Sequence, residues 1–156
     1  MSKTDVVSFE QIMAEHEELR AWLARLREFL AVPRPEIRAP GYHTWAATLS
    51  RMLADLHDRV FRHFRTEERE GFLTELAVRF PSQSSSIDAL RNEHAEILSG
   101  IRELMMSTLS YSEGREPDDP RLRRRLGEIL DRLASHERAE TDLMTGVEYQ
   151  DLGTGD

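Results

Sequence analysis

A chain of 156 residues and 18.1 kDa has the length of one domain and can bury a hydrophobic core without covalent staples. It contains no cysteine, which removes disulfide frameworks, thiolate metal sites, iron–sulfur clusters and thiol catalysis. Its 21 basic and 29 acidic residues leave a formal net charge of −8. That balance is unsuited to duplex nucleic acid or an anionic membrane, both of which select a basic footprint. No apolar run approaches the ~18 residues needed to span a bilayer. The opening Met-Ser-Lys-Thr-Asp-Val-Val lacks the basic-then-apolar order of a signal peptide. The expectation is a soluble cytoplasmic protein with a single domain over 1–156, its core at about 8–148 and a C-terminal tail at 149–156 that is frayed from Asp151 to Asp156.

Breaks divide the chain into four helical segments. They fall at Pro33, Pro35, Pro40 and Gly41, at Pro81 with the serines that follow, and at Gly114, Pro117 and Pro120. The first segment opens with Ser8 and Gln11 in capping-box spacing and carries Ile12, His16, Leu19, Leu23, Leu26 and Leu30. The second carries Leu49, Leu53, Leu56, Val60, His63 and Glu67, and the third Ile87, Leu90, His94, Ile97, Ile101 and Leu104. The fourth is expected to start with Asp119 as N-cap and Pro120 at the first helical position. Its seam runs Leu122, Leu126, Ile129, Leu133, His136, Glu140, Leu143 and Val147. Steps of three and four sustained through four amphipathic segments, with no strand signal, predict an all-α fold: an antiparallel up-down-up-down four-helix bundle. Gly71 should end or bend the second helix. Phe72 to Phe80 reads equally as a short capping helix or as its continuation.

The halves repeat. Glu15-His16-Glu17-Glu18-Leu19 matches Glu93-His94-Ala95-Glu96-Ile97, and His63-Phe64-Arg65-Thr66-Glu67 matches His136-Glu137-Arg138-Ala139-Glu140. One helical hairpin is used twice, about an approximate twofold axis along the bundle.

The seams are apolar except at His16, His63, Glu67, His94, His136 and Glu140. Such groups cost several kcal/mol in a core unless they are paired or bind metal. From His94 to Tyr111 the third helix rises roughly 26 Å, and from Pro120 to His136 the fourth rises roughly 24 Å. In an up-down-up-down bundle all six polar side chains therefore meet near one end. His and Glu four residues apart share a helical face. Two such pairs plus two single histidines give four imidazoles and two carboxylates, the carboxylates able to bridge two cations. Mixed nitrogen and oxygen donors with vacant positions suit iron, manganese or zinc better than magnesium or calcium.

The chain resembles the hemerythrin-like (HHE cation-binding) domains. The likeness rests on Glu-His-x-x-Leu at Glu15–Leu19, His-x-x-x-Glu at His63–Glu67 and His136–Glu140, and Glu-His-x-x-Ile at Glu93–Ile97. It spans roughly residues 8–148. The resemblance implies a non-haem di-iron site with an oxo or hydroxo bridge. Glu67 and Glu140 would be the bridging carboxylates, with the four histidines as terminal ligands. Zinc and manganese stay open as alternative metals. Two departures stand out. Oxygen-carrying hemerythrins have a second histidine one turn after the first on the third helix, where this chain has Leu98. They also have an aspartate five residues beyond the last histidine, where it has Thr141, with Glu140 one before. A missing fifth histidine leaves one iron more open, which argues against simple oxygen carriage.

The resulting expectation is a protein that binds, senses or reacts with a small oxidant or gas, namely O2, peroxide or NO, at a metal pair walled by aliphatic residues and Phe64. No general base, oxyanion hole or phosphate loop points to an organic substrate. Two alternatives stand beside it: a non-redox iron- or zinc-handling module, and a metal-free structural bundle held by buried His–Glu pairs. A homodimer is left open. His43 and His57 lie off the seams and are read as solvated, His57 joining the site only if the second helix is overwound. Arg121, Arg123, Arg124 and Arg125 read as a solvated face contacting acidic neighbours.

Overall fold

The computed structural model describes residues 9–69, 71–114 and 120–153. Among them the backbone forms five α-helices: α1 Phe9–Ala31, α2 Tyr42–Arg69, α3 Phe72–Arg79, α4 Ser84–Ser112 and α5 Leu122–Gly153. A single 3-10 turn, Pro81–Gln83, leads into α4, and the described residues contain no strand. The fold is all-helical. None of these helices is long and apolar enough to cross a membrane.

The apolar stripes dictate the packing. α1 lies against α2 and α5, and α4 lies against the same two, so the four long helices close a ring. Between α1 and α2, His16 meets His63 while Phe29 stacks on Trp45. Between α4 and α5, His94 meets His136. Most of the ring's interior is one apolar cluster that includes Leu26, Leu53, Leu56, Val60, Ile101, Leu104 and Leu130. Each such side chain contributes about 1.5–3 kcal/mol when fully buried.

A second, smaller cluster lies at the other side of the polar residues. It joins Ile12 of α1, Ile87 of α4 and Met144 of α5 to Phe72, Leu73 and Leu76 of α3. Of the two readings open for Phe72–Phe80, the separate helix is the one found. Gly71 makes the corner with φ 77°, a left-handed conformation that costs glycine little. α3 then folds back onto α2 and α4. The histidines and glutamates thus form a polar layer between two apolar ones.

Three local expectations need correction. The last helix starts at Leu122 rather than Pro120, because the Arg125 N–H donates to the Arg121 carbonyl and makes Arg121 the cap. Asp119 and Ser8 lie outside the described residues. The α5 seam buries Leu130 and Met144, leaving Ile129 and Leu143 only half-buried. A straight helix drifts from a strict seven-residue repeat, and Leu122, Leu133 and Met144 are spaced by eleven. Finally, α5 continues to Gly153, so 151–153 are helical rather than frayed, and 154–156 lie outside the described residues. The side chain of Val147 is outside the described set.

Candidate metal centre

All six seam residues arrive in one layer. His16 comes from α1, His63 and Glu67 from α2, His94 from α4, and His136 and Glu140 from α5, and every one is buried. The single turn separating His63 from Glu67, and His136 from Glu140, puts each pair on one face. The His16 and His63 rings meet edge to face at 4.9 Å, and His94 and His136 do so at 5.0 Å.

The atomic arrangement is more restrictive than the residue list. Glu67 turns Oε1 to His63 Nε2 and Oε2 to His94 Nε2, the latter at 3.6 Å. Glu140 turns Oε1 to His136 Nε2 at 2.8 Å and Oε2 to His16 Nε2 at 3.8 Å. Each carboxylate therefore gives one oxygen to each histidine pair. His16, His63, Glu67 and Glu140 offer donor atoms within 4.8 Å of one another, as do His94, His136 and Glu140. Donor atoms held ~2.0–2.2 Å from a common cation would show this spacing.

None of these eight atoms has a hydrogen-bond partner outside the layer; their close contacts are with one another. The four Nε2 atoms and four carboxylate oxygens face one another across the layer. An orphaned buried polar atom costs about 1–3 kcal/mol, against a net stability of ~5–15 kcal/mol for a whole domain. Eight such atoms gathered in an apolar core are a heavy load, which bound cations would relieve. The donor set fits that role: nitrogen and oxygen, carboxylates placed to bridge, and no thiolate.

The far sides of the rings are also organised. Glu15 Oε2 accepts from His63 Nδ1 at 3.0 Å, and Glu68 Oε1 accepts from His94 Nδ1 at 3.2 Å. Glu93 lies 3.6 Å from His136 Nδ1, and Thr141 Oγ1 bonds His16 Nδ1 at 3.1 Å. Outer partners of this kind set the tautomer that leaves Nε2 free and raise the basicity of a metal-binding imidazole. They obey the twofold repeat. Glu15 and Glu93 each precede the single histidine of their helix, and Glu68 and Thr141 each follow the glutamate of theirs.

The comparison with family profiles agrees with this geometry. The Hemerythrin HHE cation binding domain matches residues 7–147.

The chain belongs to the hemerythrin family. The comparisons with curated proteins and with solved structures each found no match.

Within this hemerythrin-family fold the electrostatics are those of a site holding protons where cations would sit. Burial pushes His63 down, but hydrogen bonds to Glu15 and Glu67 and the charges of Glu67 and Glu140 outweigh it and raise it to about 10. Burial and the adjoining Glu140 carboxyl hold Glu67 well above the ordinary carboxylate value. Burial would also raise Glu140, but Glu67, His136 and His16 facing it hold it well below that value. Two carboxyls facing each other in an apolar layer resist being charged together. His94 is lowered by burial and by the neighbouring His136.

Glu137 is a buried carboxyl beside the site that the sequence pattern did not expose. It is 3 % exposed, neither oxygen has a hydrogen-bond partner, and burial raises it to about 7 against the charges of His63 and Arg20. The repeat aligns it with Phe64, whose ring stacks flat on His94 at 3.8 Å.

The remaining candidates stay apart from the site. His57 stacks on Phe61 and meets Arg102 at 3.5 Å, outside both donor groups. His43 lies in the first turn of α2 and bonds the Ser112 carbonyl. The arginines at the start of α5 lie along a mostly exposed face, where Arg124 approaches Glu128 and Arg125 approaches Glu103.

Proposed function

We propose that this chain is a non-haem di-iron protein that binds, senses or reacts with a small oxidant or gas such as O2, peroxide or NO. His16 and His63 would hold one iron, His94 and His136 the other, with Glu67 and Glu140 bridging. The observation that carries the reading is the division of oxygens, each carboxylate presenting one to each histidine pair. Bound iron would supply redox chemistry and vacant coordination positions. The chain's own residues do the rest: outer partners fix the imidazoles, and apolar neighbours exclude water. Leu133 and Phe64 on one side and the α3 cluster on the other limit access to ligands of a few atoms. Manganese and zinc satisfy the same donor set, and a zinc form would be a metal-handling module without redox turnover.

The reading includes the architecture, one domain built as an antiparallel up-down-up-down bundle of α1, α2, α4 and α5. In its support, α1 residues 16 and 29 pair with α2 residues 63 and 45, in reversed order. A cytoplasmic location and action without nucleic acid or membrane belong to the same proposal.

The test is stopped-flow mixing of anaerobic, ferrous-loaded protein with oxygenated buffer, then with peroxide and NO. Leu98 stands where an oxygen carrier has its fifth histidine. Rapid loss of ferrous iron without a long-lived oxygen complex is expected, slowed in a Leu98→His variant. A reversibly deoxygenated complex lasting hours would mean an oxygen carrier, and inertness to all three would leave a storage or handling role.

A further inference from the structure

α3 and its apolar cluster close the end of the bundle nearest the polar layer, so a ligand reaches the metal positions from the side. Among the described residues, two surface concavities reach a histidine of that layer and another borders its outer partner Glu93, and their charges differ. The one between α1 and α2 balances Glu15 and Glu18 against Arg59 and Arg62 beside His63. The one between α4 and α5 carries Glu93 and Asp142 with no cationic side chain in its lining. The one between α2 and α4, about 310 Å³, is rimmed by Arg65, Arg69 and Arg91 against Glu68 alone. Its floor is Phe64, His94 and Leu98.

The basic rim is local and runs against the chain's net charge of −8. Arg65 and Arg69 are exposed on successive turns of α2. Arg91 crosses from α4, held by Asp88 at 3.6 Å and by the Thr74 hydroxyl at 3.5 Å. Glu68 is committed to His94 Nδ1. A concavity whose rim carries an excess of one sign of charge over an apolar floor concentrates counter-ions; a fully single-signed cleft raises their on-rate by ~10–10³. The volume readily admits a small anion, and the apolar floor of Phe64 and Leu98 offers nothing to a larger polar group.

We propose that this arginine-rimmed groove is the port through which a small monovalent anion reaches the His94 half of the site. The inference rests on the metal reading above and adds to it the charge of the ligand and its route. The two acidic or balanced concavities serve anions poorly, and the α4–α5 one suits incoming cations.

Azide is the probe. Its association with the ferric-loaded protein is followed by stopped flow from low to high ionic strength, with NO binding to the ferrous form as the neutral comparison. The azide on-rate should fall several-fold between ~10 mM and ~0.5 M salt, as screening shortens the Debye length from ~30 Å towards a few ångströms, while NO is unaffected. At low salt the double variant R65E/R69E should bind azide about tenfold more slowly at unchanged iron content. R65K/R69K should retain the rate, and R59E/R62E on the other groove should match the unaltered protein. A salt-independent azide rate, or equal slowing by both charge reversals, would overturn the port. The salt series needs no variant, so it decides the matter even if R65E/R69E fails to fold. Failure to take up iron at all would instead refute the metal reading.

Discussion

Glu137 offers a quantitative test of how the buried layer is balanced in the metal-free protein. Its carboxyl is fully enclosed and unpartnered, and burial moves it from 4.5 to about 7. A group raised in the folded state binds its proton more tightly there than in the unfolded chain. Its contribution to stability is therefore complete below pH 4.5 and is lost as pH rises towards about 7. At ~1.36 kcal/mol for each pH unit the loss is about 3 kcal/mol. Glu137→Gln keeps the shape and removes the titration. In urea denaturation of chelator-treated protein, the two forms should differ little near pH 4.5, and the variant should be more stable by about 3 kcal/mol at pH 8. Measuring the difference between the forms cancels the titrations of Glu67, Glu140 and the histidines to first order. A difference that does not change with pH, or that favours the unaltered protein at pH 8, would refute this account of Glu137.

Two further outcomes follow from the same layer. Alanine at His63 or His136 should lower metal content and reduce the stabilisation that added metal gives by linkage, whereas alanine at His57 or His43 should do neither. Elemental analysis with thermal melts distinguishes the sets, and equal metal loss from both would mean that the wrong histidines have been chosen. Metal uptake at pH 7 should expel protons, because His63 is raised to about 10 and Glu67 is held well above the ordinary carboxylate value, and ligands must surrender protons to bind. Calorimetric heats should then scale with the ionisation enthalpy of the buffer, and buffer-independent heats would contradict it.

The six seam residues were legible because each interrupts an otherwise apolar stripe. Helical rise alone brought them to a common height. The outer partners were harder to see, since Glu15, Glu68 and Glu93 sit one residue away from a seam position, where charge ordinarily means solvent. Their signal lay in the repeat, in which a glutamate precedes each single histidine. Glu137 was hidden because the buried face of the last helix is one row wider than the expected seam. Leu130, Glu137 and Met144, spaced by seven, form a further buried row beside Ile129, His136 and Leu143. The separate helix at Phe72–Arg79 hinged on whether Gly71 bends the chain or breaks it, and the left-handed φ that decided this is a tertiary outcome. Charge around the grooves was invisible in the linear sequence, because Arg65 and Arg69 meet Arg91 only across the α2–α4 contact.

The most direct test of the central claim is the metal count of protein loaded with ferrous iron under anaerobic conditions and then freed of excess. Six convergent residues with two bridging carboxylates predict two irons per chain, ~3.5–4 Å apart as in two-metal sites generally, the separation being measurable by X-ray absorption. Trace metal only, or a single iron with no metal neighbour at that distance, would contradict it.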